Sequence, residues 1–182
     1  MLTGNQAAIS GGSRVGILFV ASSLFSEAAA EELIGRTRDL VAEGELAGRF
    51  KLAGRLARDR ASCAAALESI DLGDLDGLVI QLSTFCTADL LHEVLSAIGE
   101  RALPLAVWAL EESDAIITNS LCGAQLWAST LARFGRRFTL LMGNPGDADL
   151  ARDLAAFAAA ARANTRVRGA RVALIGSHAD WF

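Results

Sequence analysis

Three short polar runs in this 182-residue sequence carry side chains able to hold a ligand, and each stands between an apolar run and a helical pattern. Ser22, Ser23 and Ser26 follow the first apolar run, with Leu24 and Phe25 among them. Their hydroxyls, with the N–H groups of the helix they open, suit an anion or sugar hydroxyls; plain helix capping is the competing reading. Thr84-Phe85-Cys86-Thr87 holds the equivalent place after a later apolar run, where lining a ligand competes with capping plus a buried Phe. Asn119-Ser120-Leu121-Cys122-Gly123 sets amide, hydroxyl and thiol groups at another helix start. An N-cap by Asn119 explains that residue, but not Cys122 or Gly123.

Other chemistries find less in the sequence. Glu111, Glu112 and Asp114 are the one acidic cluster at a strand end, and they fit a proton-transferring pair or a solvated loop. Cys122 has no histidine close in sequence to activate it as a nucleophile. The two histidines, His92 and His178, are far apart, which argues against a metal site built within this chain alone. Neither G-x-G-x-x-G nor G-x-x-x-x-G-K-[ST] occurs, and Gly11 and Gly12 precede the first strand, where they cannot cradle a phosphate.

The elements that must position these residues alternate. Residues 76–86 (Asp-Gly-Leu-Val-Ile-Gln-Leu-Ser-Thr-Phe-Cys) read as a central strand running into its rim, apolar on both faces as helices above and below a parallel sheet allow. Residues 14–21 read the same way, and 49–53 as a weaker edge strand. Residues 103–110, with Pro104 at the start, and 138–142 supply two more. Helices fall between them: Leu33, Ile34, Thr37, Leu40 and Val41 on one face, then Cys63, Leu67 and Ile70, then Leu90 to Ile98 with Thr87 as cap. Leu121, Ala124, Ala128 and Leu131 mark the fourth helix, and Leu150, Leu154, Phe157 and Ala158 a long fifth one capped by Asp147. The spacing of roughly 30 residues per βα unit predicts an α/β, doubly wound, Rossmann-like parallel sheet of five main strands in flavodoxin-like order, with helices on both faces. Residues 171–176 read as a sixth strand. The ends of the central strands are then where a ligand is expected.

Composition sets the bounds. A chain that is 52% hydrophobic and 21% charged is that of a packed globular protein, long enough for one domain. With a net charge of −4 and scattered basic residues, no nucleic-acid footprint is visible. No apolar run reaches the length of about 18–20 residues that a membrane span needs. Residues 1–13 read as a loose polar leader without the features of a signal peptide. Three cysteines, Cys63, Cys86 and Cys122, form an odd set that fits a reducing cytoplasm.

Taken in order, several stretches resemble the N-terminal domain of the L-fucose and L-arabinose isomerase superfamily. They are Val20-Ala21-Ser22-Ser23-Leu24-Phe25, Gly77-Leu78-Val79-Ile80 with Ser83-Thr84-Phe85, and Leu103-Pro104-Leu105-Ala106-Val107-Trp108. Thr118-Asn119-Ser120-Leu121-Cys122-Gly123 and Arg171-Val172-Ala173-Leu174-Ile175-Gly176 before His178 complete the set. The resemblance implies a Rossmann-like first domain over residues 14–168, with 169–182 beginning a second α/β domain. The family interconverts aldoses and ketoses with a bound divalent metal, usually manganese, held with the acid and base residues by later domains. By resemblance this chain binds no cofactor itself, lends residues to a sugar pocket and helps to build homo-oligomers. Ser22, Ser23, Leu24, Thr84, Phe85, Trp108, Asn119, Ser120, Cys122 and Gly123 are the expected substrate-lining residues. The arabinose-type pattern has Gln and His where Asn119 and Cys122 stand, which favours a fucose-like branch.

Two functions therefore stand side by side: the recognition and assembly domain of a sugar isomerase, incomplete for catalysis by itself, and a self-sufficient module that holds a sugar or anion without chemistry. A flavin protein of flavodoxin type is a distant third, since the chain has no Tyr and no evident aromatic pair to sandwich the ring.

Overall fold

The computed structural model describes residues 14–112 and 115–173. Strands β1 (Val15–Val20), β2 (Phe50–Leu52), β3 (Gly77–Leu82), β4 (Leu105–Ala109) and β5 (Thr139–Met142) alternate with helices α1 (Glu27–Ala42), α2 (Arg60–Ile70), α3 (Asp89–Ile98), α4 (Ser120–Arg133) and α5 (Ala148–Gly169). The strands form one sheet in the order β2-β1-β3-β4-β5, and every pairing is parallel. That is the doubly wound, flavodoxin-like arrangement expected from the alternation of apolar runs.

Burial explains the look of those runs. Every residue of β1, β3 and β4 is buried, because helices cover both faces and no polar side is left to alternate. At the edges β2 and β5 keep exposed positions. The register sets Phe19, Gln81, Trp108 and Leu141 in one row across the sheet. Thr37 of α1 hydrogen-bonds Gln81, so this row faces α1. α5 lies on the same side, where a Cβ on Gly77 would meet Ala161 at 3.0 Å. On the other face α2 and α4 pack, with Ile70 against Gly16 and Gly123 against Leu82.

Several helix boundaries differ from the sequence reading in instructive ways. α3 begins at Asp89 after Ala88, with no side-chain cap, and the Thr87 hydroxyl turns to the Asp89 carboxylate at 3.3 Å. Asp147 does stand at the N-cap position of α5 but does not cap it; its carboxylate takes the N–H of Asn144 at 2.6 Å and closes the preceding turn instead. On α4 the buried stripe is Ser120, Gly123, Ala124, Trp127 and Leu131. Leu121, one residue and about 100° around the helix from Ser120, is exposed. Leu131 is buried as expected, and Trp127, fully buried in the same stripe, donates its indole N–H to the carbonyls of Cys86 and Thr87. Of the sixth strand expected over residues 171–176, Arg171, Val172 and Ala173 are outside any strand, and the remainder lies outside the described residues, as do the leader, Asp114 and His178.

Candidate functional site

The carboxyl rim of the sheet is built around a switch point. From β1 the chain crosses to β2 on one side, and from β3 it crosses to β4 on the other, so the loops after β1 and β3 part and leave a crevice between them. The three polar runs singled out in the sequence meet there. The N–H of Ser22 donates to the Thr84 hydroxyl at 2.9 Å, and the Thr84 hydroxyl in turn reaches the carbonyl of Phe85 at 3.2 Å. The N–H of Phe85 donates to the carbonyl of Thr118 at 2.6 Å. Across the crevice the Phe25 and Phe85 rings stand 5.9 Å apart, tilted by 45°. One chain of hydrogen bonds thus joins the loops after β1, β3 and β4.

Within that rim the expected lining residues divide by what their polar atoms already do. Ser23 and Leu24 are exposed, Leu24 at 81%, and Ser22 and Phe85 are partly so. Capping of α1 falls to Ser26, which accepts the Ala29 N–H at 3.2 Å and so leaves Ser23 out of that role. Cys122 is exposed on the first turn of α4. Asn119 precedes the helix with φ of 52°, a left-handed conformation that Asn tolerates better than most residues, and its side chain makes no cap. The N-cap reading of Asn119 is therefore corrected: its role in the local fold is carried by the backbone.

Four members of the expected set serve the frame. Ser120 is wholly buried; its hydroxyl donates to the carbonyl of Leu82 at 2.5 Å and accepts the N–H of Leu110 at 2.9 Å, pinning the ends of β3 and β4 together. Gly123 sits where a Cβ would lie 3.1 Å from the backbone N of Cys86 and 3.2 Å from the Cα of Phe85, so its lack of a side chain lets α4 approach the loop after β3. Thr84 is buried and fully engaged in the bonds above. Trp108 has no exposed surface and donates its indole N–H to the carbonyl of Gly143 at 2.9 Å, which makes it part of the core beneath the rim.

Glu112 turns its carboxylate to backbone further along the chain. Glu112 accepts backbone N–H groups from Ile117, Thr118 and Asn119 at 2.8, 2.5 and 2.9 Å. Partial burial works against ionisation there, but the N–H donors of Thr118, Ile117 and Asn119 outweigh it and hold the carboxyl below its usual range. A base so occupied is poorly suited to proton transfer, and its bonds to residues 117–119 fix the approach to α4. In the sequence, a Glu eight residues before a helix start is too common a spacing to announce this use.

Behind the rim, on the α1 side, a cavity of about 170 Å³ is lined by Ala29, Leu33, Leu110, Glu112, Thr118 and Asn144 among others. Gln81 and Ser83 are wholly buried, and Gln81 Nε2 and Ser83 Oγ have no hydrogen-bond partner among the described residues. Thiol chemistry has little footing: burial pushes Cys86 up to about 12 and Cys63 up to about 11. No group of three His, Cys, Asp or Glu side chains among the described residues fits a metal ion. No described helix is long and apolar enough to cross a membrane. Neither a protein-family model nor a curated protein matches the chain.

Proposed function

We propose that this chain is the substrate-recognition and assembly domain of a metal-dependent aldose–ketose isomerase of the L-fucose/L-arabinose type. The single observation that carries the reading is the junction of its three motif-bearing loops, Ser22 to Thr84 and Phe85 to Thr118, at the switch point of a parallel sheet. Exposed hydroxyl and thiol groups at Ser23 and Cys122, with the half-buried amide of Asn119, suit a ligand rich in hydroxyls, and the half-buried Phe25 and Phe85 rings suit the C–H face of a sugar. In this reading the metal and the proton-moving groups come from later domains, and Glu112 at the rim is taken up by backbone N–H groups. A cytoplasmic setting goes with it, since Cys63, Cys86 and Cys122 are all unpaired.

Amide NMR titration of the whole chain with L-fucose, L-arabinose and their alditols tests the reading. Millimolar binding with shifts confined to residues 22–25, 84–87 and 117–123 is expected, with no turnover of either sugar in the presence of manganese. Absence of shifts at the rim overturns sugar recognition, and turnover by the chain alone overturns the division of labour. Micromolar binding by the monomer would instead favour the self-sufficient binding module.

A further inference from the structure

β5 is the outer strand of the sheet, and its free edge is apolar. Leu140 and Met142 are 45% and 43% exposed, although Leu141 between them is buried. The register explains the alternation: Leu140 pairs with Val107 and Met142 with Ala109, on the face opposite the Gln81 and Trp108 row. On that face α4 lies against β3 and β4, and β5 projects past it.

The backbone alternates in the same step. The N–H of Gly143 donates to the carbonyl of Ala109, so residues 139, 141 and 143 turn their polar groups toward β4. Leu140 and Met142 therefore turn their N–H and C=O groups toward the open edge, and among the described residues no further strand takes them. Such an edge invites another strand.

We infer that the β5 edge is a homodimer contact in which two copies pair antiparallel about a two-fold axis at Leu141. In that register Leu140 of each copy faces Met142 of the other. Both residues aim their backbone groups outward, so the two pairs form hydrogen-bonded rungs, and their side chains lie on one face as apolar cross-strand neighbours. The patch is thus its own complement, as a two-fold contact requires. Charge agrees with the direction of pairing. Exposed Arg133 and Arg137 precede β5, and exposed Asp147, Asp149 and Asp153 follow it with one cation among them, Arg152, so antiparallel strands bring the cationic end of one copy to the net anionic end of the other. A parallel arrangement would set like charges together. This contact lies at the sheet's edge and does not depend on what the rim binds.

Sedimentation velocity on the full chain over a range of concentrations tests it. A concentration-dependent dimer is expected, or a larger assembly containing this contact. The double variant Leu140→Lys, Met142→Lys should shift the distribution to monomer, or halve the larger assembly, with its far-ultraviolet circular dichroism unchanged. Met142→Pro provides a second arm: it removes an N–H that faces the open edge and none that serves β4, and it should weaken the dimer in the same sense. A wild-type chain that stays monomeric, or an assembly indifferent to both variants, would overturn the inference.

Discussion

Ser83, just after β3, and Ser120, at the start of α4, are both fully buried, and the same substitution should act on them in opposite senses. Ser120→Ala strands the Leu110 N–H and the Leu82 carbonyl, for an expected loss of about 1–3 kcal/mol in a urea or thermal unfolding measurement. Ser83→Ala removes a hydroxyl with no partner among the described residues, and stability should hold or rise. Nothing in the sequence separates these serines, because which of them meets a free backbone group depends on where β4 lies relative to β3. Glu112 adds a pH signature. Its carboxyl is held below the ordinary 4.5 in the folded chain, so its contribution is present above that value and is lost as the pH falls through the folded pKa. Glu112→Gln should therefore unfold more easily near neutrality, with the gap to wild type closing on acidification.

At the scale of elements, helix α4 shows packing overruling propensity. An alanine in mid-helix ordinarily stabilises by about 1 kcal/mol relative to glycine. At position 123 the added methyl would press on the backbone at Cys86 and Phe85, so Gly123→Ala should instead cost about 1–3 kcal/mol, read as a lowered thermal midpoint. The apolar spacing of the sequence did reveal that a helix runs here and where it ends. It pointed to Leu121 as a buried residue because leucine is apolar, whereas the stripe is centred on Ser120, Gly123 and Trp127. Ser120 and Gly123 claimed the first turn of the inner face since one bonds the ends of β3 and β4 and the other lets the helix approach the loop after β3. The caps failed for a related reason: Thr87 and Asp147 found nearer partners in Asp89 and Asn144 than the helix N–H groups.

For the molecule as a whole, one core spans both faces of the sheet, and it encloses two of the three thiols. Cys122 alone should react with a thiol reagent under native conditions, with Cys63 and Cys86 following only as the whole domain unfolds; intact-mass spectrometry before and after denaturant would show one adduct, then three. Early reaction of Cys63 or Cys86 would mean that the core opens locally. The sequence by itself determined the layered architecture, the count of main strands and their order, because unbroken apolar runs at βα spacing can be buried only between helices on a parallel sheet. It also determined that Ser22, Thr84 and Asn119 would gather at one end, since each follows a strand of that sheet. Only the tertiary structure decided which of those side chains remain open to a ligand and which are used up holding the loops. That choice rests on hydrogen bonds such as Ser22 to Thr84 and Ser120 to Leu82, formed between groups 62 and 38 residues apart, whose pairing no local spacing encodes.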